Sequence, residues 1–156
     1  MKAASLMLAG VLLVMADGLA QHEDAAARPV PADRPAVRFA VVDVYVDSGP
    51  TKLAAWQVAI TATAGDVKLV GIEGGEHAAF AGPPYYDPAA MKKDRVRIAA
   101  FSTGADLPTG RTCVARLHVQ IGGDEAPEYA VELQAAAGPD GQPVKAQAGT
   151  GKGLEK

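Results

Sequence analysis

The sequence predicts an all-β domain, an antiparallel β-sandwich of about seven or more strands. Three observations carry this. Apolar and polar residues alternate from about Arg38 to Ala148, the period of a strand with one dry face. Gly, Pro, Asp and Ser clusters interrupt the alternation at short intervals, as turns do between antiparallel strands. Beyond the first twenty residues no segment holds a convincing helical period.

The first strand is expected over Phe39–Val46, with Val42, Val44 and Val46 set against Asp43, Tyr45 and Asp47. Ser48-Gly49-Pro50 turns the chain into Leu53–Thr63, whose Ala54, Trp56, Val58 and Ile60 share a face. Trp56 is thereby read as core. Gly65-Asp66 leads to a third strand, Val67–Glu73, and Gly74–Asp94 follows as a long irregular segment. Within it, Asp87-Pro88 has the form of an N-cap with a first-turn proline, so one helical turn is expected at Ala89–Lys93. Arg95–Phe101 sets Val96, Ile98 and Ala100 opposite Arg95, Arg97 and Ala99.

Arg111–Ile121 is the clearest strand of all. Cys113, Ala115, Leu117, Val119 and Ile121 fall on one side, with Thr112, Val114, Arg116, His118 and Gln120 on the other. Cys113 is therefore read as a small buried hydrophobe. Tyr129–Ala135 comes next. Gly138-Pro139-Asp140-Gly141 is a strong turn signal before a last short strand near Val144–Ala148. The expected core comprises Val44, Trp56, Val58, Ile60, Leu69, Ile98, Leu117, Val119, Val131 and Leu133.

The ends read differently. Lys2, the 14-residue apolar run Ala3–Ala16 and Gly18-Leu19-Ala20 have the form of an export signal with a small-residue cleavage site. A membrane span needs about 20 apolar residues, and Asp17 ends this run too early. The expected organisation is a signal peptide at 1–20, a proline-bearing spacer at 21–36, a sandwich at 37–148 and a flexible tail at 149–156. The chain is expected to be secreted or periplasmic, starting at Gln21 after cleavage and with no membrane span left; an uncleaved N-terminal anchor is the competing reading.

A net charge of −3 with scattered basic residues, Lys92-Lys93 the one adjacent pair, argues against nucleic acid, which calls for a basic patch. Cys113 is the single cysteine, so no intrachain disulfide is expected.

With the strands placed, Leu53–Gly123 resembles the cohesin-type family of secreted bacterial β-sandwich modules, relatives of a wider group of carbohydrate-binding domains. Leu53-Ala54-Ala55-Trp56-Gln57-Val58-Ala59-Ile60 resembles the family's strand with a small-aromatic step. Val67–Gly75 resembles its following "L-x-V-x-x-V-x-x-G" passage, and Arg95–Ser102 with Gly110–Ile121 resembles its paired strands. The resemblance implies a cohesin-like sandwich of the jelly-roll or immunoglobulin-like kind, and a non-catalytic module that binds. The chain departs from the family at 74–94, so recognition of a dockerin does not follow. Fold transfers more readily than partner.

The 74–94 segment is the main candidate site. Long irregular loops inside a compact domain are uncommon and often functional, and this one carries Phe80, Tyr85, Tyr86 and Met91. Tyr85 and Tyr86 offer a flat platform for a sugar ring or a protein partner, against the alternative that they cover the sandwich end. Glu73, Glu76, His77 and Asp87 raise the question of a metal. Glu76-His77 match no ligand spacing with a mechanism behind it, and a solvated loop is the better reading. No metal or cofactor is expected. No Gly-x-Ser-x-Gly turn is present, and no catalytic residue is assigned. The binding residues expected are Glu76, His77, Tyr85, Tyr86 and Asp87. The partner expected is an envelope or extracellular protein; the alternative is a polysaccharide held by Tyr85, Tyr86 and Tyr45. An enzyme with an unrecognised site in the loop is the remote third.

Overall fold

The computed structural model describes residues 36–152. The signal expected at 1–20, nearly all of the spacer and residues 153–156 lie outside them. Eight strands form in chain order: β1 (Val37–Asp47), β2 (Ala55–Ala64), β3 (Asp66–Gly74), β4 (Tyr85–Tyr86), β5 (Arg95–Phe101), β6 (Arg111–Gly122), β7 (Glu128–Ala137) and β8 (Gln147–Lys152). They pair into two four-stranded antiparallel sheets, ordered β3-β6-β1-β8 and β4-β5-β2-β7. The fold is an all-β sandwich, as the alternation predicts. Apart from the β4–β5 connection, every link carries the chain from one sheet to the other.

Each sheet turns one face inward. Val42, Val44 and Val46 of β1 and Leu117, Val119 and Ile121 of β6 meet Trp56, Val58 and Ile60 of β2 and Val96 and Ile98 of β5. Burying one such side chain contributes about 1.5–3 kcal/mol, so this interleaved layer is the main source of stability. The β1–β2 turn is closed by side chains: the Asp47 carboxylate accepts from the Gly49 N–H at 2.9 Å, and Ser48 Oγ donates to the Thr51 carbonyl at 2.8 Å. Gly49 sits at φ +58°, which glycine adopts without steric cost.

Four expectations need correction. In β6, Val44 of β1 pairs with Ala115 but Tyr45 pairs with Cys113, so Val114 is an extra residue. This bulge reverses the phase upstream of it. Val114 lies in the core, and Cys113 shares the outer side with Tyr45 instead of the inner side with Ala115. Cys113 is still only 3% exposed. Burial pushes its thiol pKa up, and the nearby Asp43 carboxylate adds to the effect. A thiol that resists ionisation is a poor nucleophile. Iodoacetamide should therefore leave Cys113 unmodified in the folded chain and label it fully in denaturant, as intact mass will show.

Val131 and Leu133 are half-buried, because β7 is an edge strand with a neighbour on one side only. The last strand is Gln147–Lys152, later than Val144–Ala148, and it pairs with Val42–Asp47 of β1. Gly149–Lys152, expected as tail, is therefore strand. Finally, Tyr85–Tyr86 is a strand within the expected loop, paired with Ala99 and Ile98 of β5.

Candidate functional site

The 74–94 segment is tied down at both ends. Gly74 and Gly75 pass against backbone: a Cβ on Gly74 would overlap the Ala81 carbonyl, and one on Gly75 the Cys113 carbonyl. Glycine is required at both positions for close approach, since neither has a positive φ. The Gly75 N–H donates to Phe80 O at 2.8 Å and the Glu76 N–H to Cys113 O at 3.1 Å. At the far end Lys92 N–H donates to Leu69 O, and Leu69 N–H to Lys93 O.

The residues expected to bind fall into two groups. His77 caps a 3-10 turn at Ala78–Phe80, its Nδ1 accepting from the Ala79 N–H at 3.2 Å, while its Nε2 lies 3.9 Å from Asp106. Glu76 pairs with Arg116 at 2.6 Å on the outer side of sheet β3-β6-β1-β8. There Arg116 also donates through Nε to Asp43 at 3.1 Å, and the Tyr45 hydroxyl donates to Asp43 at 3.3 Å. Arg111 covers the Tyr45 ring at 3.6 Å, so that ring is occupied by a cation. His118 Nε2 lies 3.1 Å from Glu73, with its N–H off the line of a hydrogen bond, so the contact is one of charge when the imidazole is protonated. Glu76 and His77 are thus engaged in shaping the loop. Among the described residues no three His, Cys, Asp or Glu side chains converge as a metal site would require.

Asp87 is likewise a cap. Its carboxylate accepts from the Ala89 N–H at 2.9 Å at the head of the 3-10 turn Pro88–Ala90, with Pro88 in the first turn. The turn expected at Ala89–Lys93 is present, shorter and starting one residue earlier.

Tyr85 and Tyr86 do not form a joint platform. Consecutive residues of a strand point to opposite faces, and the register places Tyr86 with inward-facing Ile98 and Tyr85 with Ala99 on the outer face. Tyr85 finds its companion one strand over. Phe101 lies two residues beyond Ala99 on the same face of β5, and the two rings are parallel to within 7° with centroids 6.3 Å apart. Tyr85 is 71% exposed and Phe101 64%. Large aromatic surface left in water in this way is uncommon on a folded domain, and paired it marks a contact surface.

Beside the rings lies an open groove of about 650 Å³, bordered by Gln57, Tyr85, Asp87, Lys93, Arg95 and Arg97. Its floor is the outer face of β5 and β2. Ala59 stands there between Arg97 and Glu132 in register and is only 3% exposed, covered by its longer neighbours. Gln57 donates to Gln134 at 2.8 Å across the sheet, fixing both amides. The arrangement has no nucleophile with an adjacent base; it can stack, donate and attract anions. Sequence reasoning missed Phe101, Arg95 and Arg97 as site residues. The signal was present: an aromatic closes the polar side of a strand whose other side is Val96-x-Ile98-x-Ala100.

No family model, curated protein or solved structure matches this chain at a significant level.

Proposed function

We propose that this chain is a secreted or periplasmic, non-catalytic binding module, which holds a polysaccharide on the outer face of sheet β4-β5-β2-β7. The observation that carries the reading is the exposed parallel pair Tyr85–Phe101 beside a groove edged with hydrogen-bonded amides and guanidinium groups that no carboxylate pairs among the described residues. The apolar faces of sugar rings stack on aromatic rings, and planar amides and guanidinium groups donate to the hydroxyls around them. The resemblance of Leu53–Gly123 to cohesin-type modules and their carbohydrate-binding relatives supports the same class. Export rests on Lys2, Ala3–Ala16 and Gly18-Leu19-Ala20.

Affinity electrophoresis against a panel of soluble polysaccharides tests it. Tyr85→Ala should weaken retention by about 1–2 kcal/mol, the size of an interface anchor. The melting temperature should stay nearly unchanged, because the ring is exposed. Retention indifferent to both Tyr85→Ala and Phe101→Ala would remove the site from this face.

A second reading, protein interaction of cohesin type, is favoured by one further feature. Val37, Phe39 and Val41 alternate along β1 at 55%, 70% and 37% exposure, an apolar strip on the other sheet. A chain that ignores every polysaccharide but binds an envelope protein in a manner abolished by Phe39→Asp would carry this reading instead.

A further inference from the structure

The charges around the groove narrow the ligand. Arg95 and Arg97 stand on the outer side of β5, two residues apart and in line with Ala99 and Phe101. Lys93 lies at the same end of the groove. None of the three cations is in an ion pair among the described residues. The groove holds one acid, Asp87, whose carboxylate accepts from the Ala89 N–H. Glu132 is the nearest acid in register, two strands from Arg97 with Ala59 of β2 between them. On a chain of net charge −3, an unpaired basic row facing a groove is a local inversion of the surface field.

The row is also ordered. Arg95, Arg97, Ala99 and Phe101 follow one another at two-residue steps, a line about 20 Å long from the first guanidinium residue to the aromatic pair. An extended polymer laid along β5 would meet cations at one end and stacking rings at the other. We propose, on the reading that this face binds polysaccharide, that its ligand is a carboxylated one, a chain of uronic acid residues. The exposed face of the stacked Tyr85–Phe101 pair would take one ring while Arg95 and Arg97 take the carboxylates of rings further along. The planar fork of arginine matches a carboxylate with two parallel N–H donors. An acidic peptide would satisfy the arginines but lacks the broad apolar ring face that the exposed aromatic surface stacks on.

The test compares four polymers by titration calorimetry at moderate salt: polygalacturonate, the same polymer fully methyl-esterified, a neutral glucan and poly-glutamate. The proteins are the wild-type chain, Arg95→Gln/Arg97→Gln and Tyr85→Ala, each confirmed folded by its melting curve. Polygalacturonate should bind at least tenfold tighter than its ester, and the preference should shrink as salt is raised. The double arginine variant should lose that preference while keeping its affinity for the ester. Tyr85→Ala should weaken both uronate polymers by a similar factor. Equal wild-type affinity for polygalacturonate and its ester overturns the carboxylate assignment and, if Tyr85→Ala still weakens both, leaves the sugar-binding face standing. Tyr85-dependent binding of neutral glucans alone does the same. Poly-glutamate bound as tightly as polygalacturonate, with no effect of Tyr85→Ala, makes the row a plain polyelectrolyte surface and overturns both readings, as does failure to bind any polysaccharide.

Discussion

Phe80→Ala is expected to destabilise the chain by about 3–5 kcal/mol, the usual cost of emptying a buried aromatic site. Phe80 is 2% exposed and meets Trp56 edge-on, with centroids 6.0 Å apart and planes at 80°. It is the one side chain of the 75–94 segment that is inserted in the core cluster; Ala79, Ala90 and Met91 only rest against it. Its backbone is equally committed, donating to His77 O and accepting from the Gly75 N–H. Removing the ring opens a cavity beside Trp56 and frees the crossing between the sheets. Urea unfolding with an unchanged slope measures the loss. His77→Ala removes a cap and should cost about 1 kcal/mol. Near-equal losses at the two positions would mean that the ring is not the anchor.

The bounds of a strand are legible wherever one face is dry, and the side each residue takes is legible only where no residue is inserted. Arg95–Phe101 was read to the residue, and Arg111–Ile121 to within one, because Val96, Ile98, Leu117, Val119 and Ile121 keep an unbroken period of two. An inserted residue leaves no such mark. The Val114 bulge is one apolar residue among apolar neighbours, so nothing in its composition shows that Cys113 changes face. β8 was misplaced for another reason. Gln147–Lys152 contains two glycines and no large apolar residue, and it is held to β1 by backbone pairing, which composition does not display.

The site followed the same division. The sequence marks Tyr85 as an exposed aromatic, and it is 71% exposed, although in a strand and not in a loop. Its separation from Tyr86 depends on a two-residue strand, too short to show a period, and becomes visible only through the pairing with Ala99 and Ile98. Glu76, His77 and Asp87 illustrate a different limit. Carboxylates and imidazoles that cap turns or pair with a distant Arg116 look identical in sequence to those that bind ligands, because their partners lie up to forty residues away.

Arg116→Ala should be the second severe substitution, at about 3 kcal/mol, toward the low end for breaking a buried ion pair. Asp43 lies directly opposite Arg116 in the β1–β6 ladder, and its side chain is 5% exposed. With the guanidinium gone, the carboxylate keeps only the Tyr45 hydroxyl at 3.3 Å. An unpaired charge held out of water costs more than the lost hydrogen bond alone. Arg116 itself is one-third exposed, so water relieves part of the penalty, which sets the estimate low in the range. Glu76, the other partner, is 59% exposed, and Glu76→Ala should cost well under 1 kcal/mol. The decisive comparison is the double variant Asp43→Asn/Arg116→Ala. If the cost comes from stranding a carboxylate, making the aspartate neutral should restore much of the stability lost in Arg116→Ala. If the two changes simply add, Arg116 acts by packing its stem over the sheet, and Arg116→Met should then recover what Asp43→Asn does not.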